Sequence, residues 1–248
     1  MVRMAQRLLN KVAVVTGASG VLGRAVVHKF LAEGAKVVVF GRNRGRLDEL
    51  AAGTPARVLV VEGDVTKAND LDGLVETTVR RFGTVDVLVG AATLFRTASL
   101  GDCTAELVSE IFAVNLQGAL QTVRAFERQL NRGASIVFVT TPAPTASREG
   151  LGPFAASKAA LASLARTLAV ELSPRGIRVN SVSPGRIDDP RGATPTDLGG
   201  RAVEDTPPQT RGRGTQRSEQ VAEAALFLAC DNAAGVTGQE LVIDAPTA

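Results

Sequence analysis

The chain contains no tyrosine, a single histidine and only two cysteines in 248 residues. No phenol is therefore available anywhere as a proton donor. Cys103 and Cys230 are too few for a disulfide framework and lack metal-ligand spacing. The one histidine, His28, falls in mid-helix and reads as a surface residue rather than a catalyst. No uninterrupted apolar run of about eighteen residues occurs, so no membrane-spanning helix is expected. Net charge is only +3 and the arginines are scattered rather than blocked, which argues against nucleic acid as a partner. Arg3 and Arg7 stand where a secretory leader would carry its charges. Val12 to Val15 then runs straight into a Gly-rich turn instead of a small-residue cleavage site, so a cytoplasmic protein is expected.

What is present is apolar material at 45% of the residues, enough for one large core. Short β-rich runs alternate with helical patterns: Lys11–Val15, Ala35–Phe40, Arg57–Val61, Val85–Val89, Ser135–Val139, Ile177–Pro184 and Gly238–Asp244 read as strands. Helical patterns run to about Glu33, over Lys67–Phe82, over a long segment from about Thr104 to Leu130, over Phe154–Leu172 and over Ser218–Ala229, the last with Ser218 as expected N-cap. That alternation specifies an α/β fold with a mostly parallel seven-stranded sheet. Residues 186–217 are rich in Pro, Gly, Thr and Arg, and so long an irregular stretch inside a compact domain is a lid, a binding loop or disorder.

The first strand leads into Thr16-Gly17-Ala18-Ser19-Gly20-Val21-Leu22-Gly23 and then a helix. Glycines let backbone approach a pyrophosphate, and the helix N-terminus favours its charge. Past the second strand stand Gly41 and Arg42, where a carboxylate would bind the ribose hydroxyls of NAD. A guanidinium there suits a 2′-phosphate instead, so NADP(H) is preferred over NAD(H); otherwise Arg42 is an ordinary solvated arginine. Asp64 and Val65 follow the third strand; Asp64 alternatively caps the next helix.

The segment Gly152-Pro153-Phe154-Ala155-Ala156-Ser157-Lys158 resembles the active-site helix of the short-chain dehydrogenase/reductase family, and the resemblance extends from about Lys11 to Asp244. It implies a single doubly wound Rossmann-type domain over residues 1–248, a substrate lid over 186–217, a small-molecule substrate and assembly into a homodimer or homotetramer. The glycine spacing T-G-x-x-G-x-x-G is similar to that of the family's extended branch. The resemblance places Thr16, Gly17, Ser19, Gly20, Val21, Leu22 and Gly23 on the pyrophosphate, and Asp64, Val65 and Ala91 beside the adenosine. It places Lys158 on the nicotinamide ribose, and Pro184, Gly185 and Ile187 by the nicotinamide. Asn115, within Asn115-Leu116-Gln117-Gly118, corresponds to the family asparagine that opens its helix and holds a water near the lysine; an amide at that position can equally be a bland surface residue. Thr141 falls where the family has its catalytic serine, thirteen residues before position 154, and keeps a hydroxyl.

The family's tyrosine, four residues before the lysine, is Phe154 here, and a phenyl ring has no proton to give. Gly90-Ala91-Ala92-Thr93 stands in place of Asn-Asn-Ala-Gly, and Asp189 in place of a threonine. The nucleotide-facing positions look serviceable while those near the reacting carbon have changed. Three readings follow: an NADP(H)-dependent oxidoreductase with water or the substrate as proton source; a nucleotide-binding pseudoenzyme or partner subunit; and a non-redox isomerase or cyclase. The third has only Asp188 and Asp189 as an acid/base pair, and these also suit a solvated turn.

Overall fold

The computed structural model describes residues 6–142, 149–185, 187 and 217–244. The chain order is β1 (Val12–Thr16), α1 (Val21–Ala32), β2 (Lys36–Gly41), α2 (Arg44–Ala51), β3 (Val58–Glu62), α3 (Ala68–Phe82), β4 (Val85–Gly90), α4 (Ala105–Phe112), α5 (Gly118–Phe126), β5 (Leu130–Val139), α6 (Gly152–Glu171), β6 (Arg178–Pro184), α7 (Ser218–Ala229) and β7 (Glu240–Ile243). The strands form one seven-stranded sheet in the order β3-β2-β1-β4-β5-β6-β7, and every neighbouring pair is parallel. This is the α/β arrangement the alternating sequence pattern specifies.

Each face of the sheet buries its own core. Ala13, Val15, Val37 and Val39 face α1 and α7, where Val26, Phe30, Val221 and Leu226 meet them. Val14, Val38, Leu88 and Ile136 face the opposite side, against Leu71, Leu74, Val123, Phe126 and Leu161. Consecutive residues of β1 thus point into different cores, and all five of its residues are buried. A strand covered on both faces reads as a continuous apolar run, which is why β1 was legible without alternation.

The topology positions the site. From β1 the chain winds outward through β2 to β3, then returns to β4 on the other side of β1. The chain therefore leaves β1 and β4 toward opposite faces at the carboxyl edge of the sheet, the crevice position where doubly wound sheets bind ligands.

Four local features differ from the sequence expectations. The pattern over Thr104–Leu130 is not one helix: α4 and α5 are separated by a π-helical turn, Ala113–Gln117. Strand β5 begins at Leu130 rather than Ser135, with a register shift against β4 and Gly133 at φ 77°. Helix α2 is not among the expected elements; the Asn43 side chain caps it by accepting from the Arg46 N–H at 3.0 Å. Ser218 is not a cap but the first residue of α7; Arg217 takes that position, its N–H donating to the Gln220 side chain at 3.0 Å. The expected lid lies, apart from Ile187 and Arg217, outside the described residues, as do Asp188 and Asp189.

Candidate active site

The turn after β1 is held against the exit of β4. Gly17 has φ 65°, and a Cβ added there would lie 2.5 Å from the Ala92 nitrogen and 2.6 Å from the Ala91 carbonyl. Only glycine permits both the left-handed backbone and that approach. Thr16 ties the same two strands, its carbonyl accepting from the Ala91 N–H at 3.3 Å. Gly23 sits over the turn, where a Cβ would be 2.3 Å from the Gly17 oxygen. Gly20 is different: it is exposed, and only the Gly17 oxygen, at 3.3 Å, stands near its missing Cβ.

Gly20 is also the N-cap of α1, and no side chain caps that helix. The N–H groups of Val21, Leu22 and Gly23 in the first turn have no intrahelical partner by helix geometry and carry the positive end of the dipole. Ser19 lies at the end of β2, since a Cβ on Gly41 would be 3.3 Å from its Oγ. Arg42 follows and is exposed. Burial works to raise the pKa of Asp64, but hydrogen bonds from the Thr66 N–H (2.9 Å) and hydroxyl (2.8 Å), with the charges of Arg42 and Lys67, hold it below the usual carboxylate range. Asp64 thus caps a turn at Thr66 rather than α3 itself, whose N-cap is Lys67. Val65 packs on Gly118, where a Cβ would fall 2.6 Å from a Val65 methyl. On the far side, the Gly185 N–H donates to the Ile243 carbonyl at 2.8 Å, buried Pro184 closes β6, and Ile187 packs against the core. This set fits an anionic dinucleotide: an uncapped helix start beneath an open glycine, with a hydroxyl and a guanidinium at the next strand end.

The opposite end of the crevice is built around Lys158. Helix α6 carries it into the interior, where the side chain is 2% exposed. Its Nζ donates to the Thr93 hydroxyl at 2.9 Å and to the Val139 carbonyl at 2.9 Å. Burial alone pushes its pKa down to about 7. The Phe154 ring, 8% exposed, lies with its centroid 5.9 Å from Nζ and meets Phe95 edge to face at 4.8 Å. Thr141 stands half-buried just past β5, two residues beyond the carbonyl that holds Lys158.

Asn115 occupies the π turn and is completely buried. Its Oδ1 accepts from the Leu94 N–H at 2.7 Å; its Nδ2 donates to the Leu94 carbonyl at 3.1 Å and to Ser157 Oγ at 2.9 Å. Ser157 passes its own proton to the Phe154 carbonyl at 2.7 Å. Both amide hydrogens of Asn115 are thereby used, leaving one lone pair on Oδ1 for a further donor. The bland surface alternative for Asn115 is excluded by this burial. Two participants, Thr93 and Ser157, were not singled out from sequence. Thr93 carried a signal, as a threonine where the resembling motif has glycine; Ser157 carried only its adjacency to Lys158.

The altered Gly90 position is compensated across the sheet. A Cβ on Gly90 would lie 2.7 Å from the Phe138 ring, so that ring fills the space a larger side chain would need.

The crevice, the glycine turn and the buried lysine define an α/β oxidoreductase of the nicotinamide-dependent class. The sequence matches the family described as enoyl-(acyl carrier protein) reductase over residues 17–245. It is 34% identical over 251 residues to the 3-oxoacyl-[acyl-carrier-protein] reductase FabG of Thermotoga maritima, covering 96% of this chain and 98% of that one. An uncharacterized oxidoreductase of Methylorubrum extorquens is 34% identical over 241 residues, with 94% and 96% covered. Among solved structures, a short-chain dehydrogenase from Burkholderia cenocepacia in complex with NADP superposes with a TM-score of 0.85 at 28% identity, covering 97% and 98%. The chain belongs to the short-chain dehydrogenase/reductase family.

Proposed function

We propose that the protein is an NADP(H)-dependent oxidoreductase acting on a carbonyl or hydroxyl carbon, or an enone, of a small molecule, with a proton source other than tyrosine. The observation that carries this reading is the buried Lys158, held by Thr93 and Val139 at one end of a crevice whose other end is an uncapped, glycine-lined helix start. When bound, the nicotinamide supplies or accepts the hydride. The chain's own groups do the rest. Gly17, Gly20 and Gly23 let the first-turn amides of α1, with Thr16 and Ser19 beside them, reach the pyrophosphate. Ser19 and Arg42 together offer a hydroxyl and a guanidinium to a 2′-phosphate, which supports NADP(H) over NAD(H). Asp64, Val65 and Ala91 border the adenosine. An ammonium has three donors, and two of those on Lys158 are engaged, leaving one for a ribose hydroxyl. Pro184, Gly185 and Ile187 flank the nicotinamide, and the Thr141 hydroxyl polarises the substrate oxygen. Phe95 and Phe154 give the substrate an apolar wall.

Leu120 on α5, Val170 on α6, Phe227 on α7 and Val242 on the edge strand β7 are among the exposed large apolar side chains. This supports a homo-oligomer. No helix among the described residues is long and apolar enough to cross a membrane, and the reading keeps the cytoplasm as the place of action and residues 186–217 as the substrate lid.

A second reading, a nucleotide-binding pseudoenzyme or partner subunit, is favoured by the Phe154 ring packed on Phe95 in the position of the missing acid. One titration separates the two: purified protein with NADPH, its absorbance followed over a panel of ketones and enones. Binding with turnover supports the first reading, and binding without turnover the second. Absence of binding removes the first.

A further inference from the structure

The loss of a hydroxyl at position 154 coincides with a hydroxyl at position 93, and the structure joins that second hydroxyl to the buried lysine. Thr93 is exposed while its Oγ1 accepts from Lys158 Nζ at 2.9 Å. It thus bridges a group closed to solvent and the space where a substrate would lie. The hydroxyl's own proton has only a long contact, 3.3 Å to the Ala91 carbonyl, so rotation about one bond frees it. The arrangement is fixed from behind. Asn115 holds both backbone polar groups of the next residue, Leu94, and its bond to Ser157 ties that loop to the residue before Lys158.

We propose that Lys158 and Thr93 form a proton-delivery pair, in which the Thr93 hydroxyl touches the substrate oxygen and Lys158 is the reservoir behind it. The inference rests on the oxidoreductase reading above. In the reductive direction, the carbonyl carbon gains a hydride from the reduced nicotinamide and the C=O π pair moves onto oxygen. That oxygen takes the Thr93 proton as Thr93 takes one from the Lys158 ammonium. Lys158 is left as a neutral amine, which regains its proton from solvent through the exposed Thr93 hydroxyl after the product leaves. Asn115 is a positioning residue for the pair.

The electrostatics suit this role. A lysine at its ordinary pKa of 10.5 is a poor acid at neutral pH, whereas one held near 7 by burial has a pKa matched to the task. The charged side chains on the elements packed against α6 are Glu106 and Glu110 on α4, Arg132 on β5, Arg175 in the turn Ser173–Arg175 and Arg178 on β6, with Arg96 in the loop that carries Thr93. None of these is a cause of the Lys158 shift, which is burial alone.

The test uses the full chain, NADPH and the ketone and enone panel, with Thr93→Val, Thr93→Ser and the double variant Thr93→Val/Phe154→Tyr. Turnover is expected to fall as pH rises through the Lys158 titration. Thr93→Val is expected to lower kcat by about 10²-fold, within the range of a lost general acid. NADPH binding, followed by fluorescence, should persist in that variant. Thr93→Ser should recover the greater part of the loss, and the double variant should regain turnover through the new phenol. Independently of activity, carbon NMR of labelled lysine should show the Lys158 titration moving downward in Thr93→Val, since the ammonium loses an acceptor. A kcat unchanged in Thr93→Val, or a Lys158 titration indifferent to it, overturns the pair. NADPH binding without turnover on any substrate also overturns it and leaves the binding reading standing. Failure to bind NADPH removes both.

Discussion

Asn115 grips Leu94 by both of its backbone polar groups, accepting from the N–H at 2.7 Å and donating to the carbonyl at 3.1 Å, across a sequence separation of 21 residues. A side-chain amide here does the work of a strand partner for the backbone of Leu94, which lies outside the strands. The helix opens into a π turn at the same residue, consistent with the frequent placement of such turns at functional sites.

Replacing that amide with a hydrocarbon should therefore be felt in stability as well as in turnover. Asn115→Leu leaves the Leu94 N–H and carbonyl and the Ser157 hydroxyl without their buried partner. A loss of about 2–4 kcal/mol is expected, read by urea unfolding. An unchanged unfolding midpoint would mean that the loop carrying Thr93 is held by other contacts.

The buried lysine makes stability depend on pH in a definite direction. Its pKa is about 7 in the folded protein against an ordinary 10.5, so the unfolded chain binds more protons between those values. Stability then rises with pH across that interval, and the cost of burying the ammonium is present in full below about 7. Measured by denaturant unfolding of the cofactor-free protein, the difference between wild type and Lys158→Met should shift in favour of wild type by a few kcal/mol, on the order of 3–5, as pH is raised. A difference flat in pH would show that Lys158 titrates normally.

The three glycines of the first turn should separate into structural and binding roles. Gly17→Ala forces a Cβ to 2.5 Å from the Ala92 nitrogen at φ 65° and is expected to lower thermal stability strongly. Gly20→Ala meets only one atom at 3.3 Å in an ordinary backbone conformation (φ −76°), so the fold should survive, with a loss of about 0.5–1 kcal/mol for alanine in place of glycine at an N-cap. Its added methyl stands over the uncapped start of α1, and NADPH affinity should drop. Equal stability loss in both variants would contradict this division.

Arg42 gives a test of coenzyme choice. Arg42→Ala is expected to weaken NADPH binding by roughly tenfold, the scale of one charge-assisted hydrogen bond, with little change for NADH. Equal weakening of both by calorimetry would place Arg42 on a phosphate common to the two coenzymes.

Much of this was legible in the sequence because it is local. The strands β1 and β2 carry continuous apolar runs and β4 is broken only by Asp86, and the glycine turn announces itself by composition and by its place between a strand and a helix. The α2 helix escaped notice because its mean composition is polar and its only start signal is the cap at Asn43. The π turn leaves no mark on a 3.6-residue period; only the resemblance, whose asparagine opens its helix at the position of Asn115, pointed to it, and in the structure Asn115 bonds Leu94 and Ser157 there. The fit of Gly90 to Phe138 likewise belongs to two strands 48 positions apart.

Sequence alone settled the α/β class, the position of the glycine turn and the absence of any phenol, since each is a property of a short segment or of composition. Tertiary structure decided which hydroxyl the buried lysine meets. Thr93 and Lys158 are separated by 65 residues, and their contact exists because the parallel sheet brings the exits of β4 and β5 side by side beneath α6. Such a contact depends on strand order and packing, which local propensity does not encode.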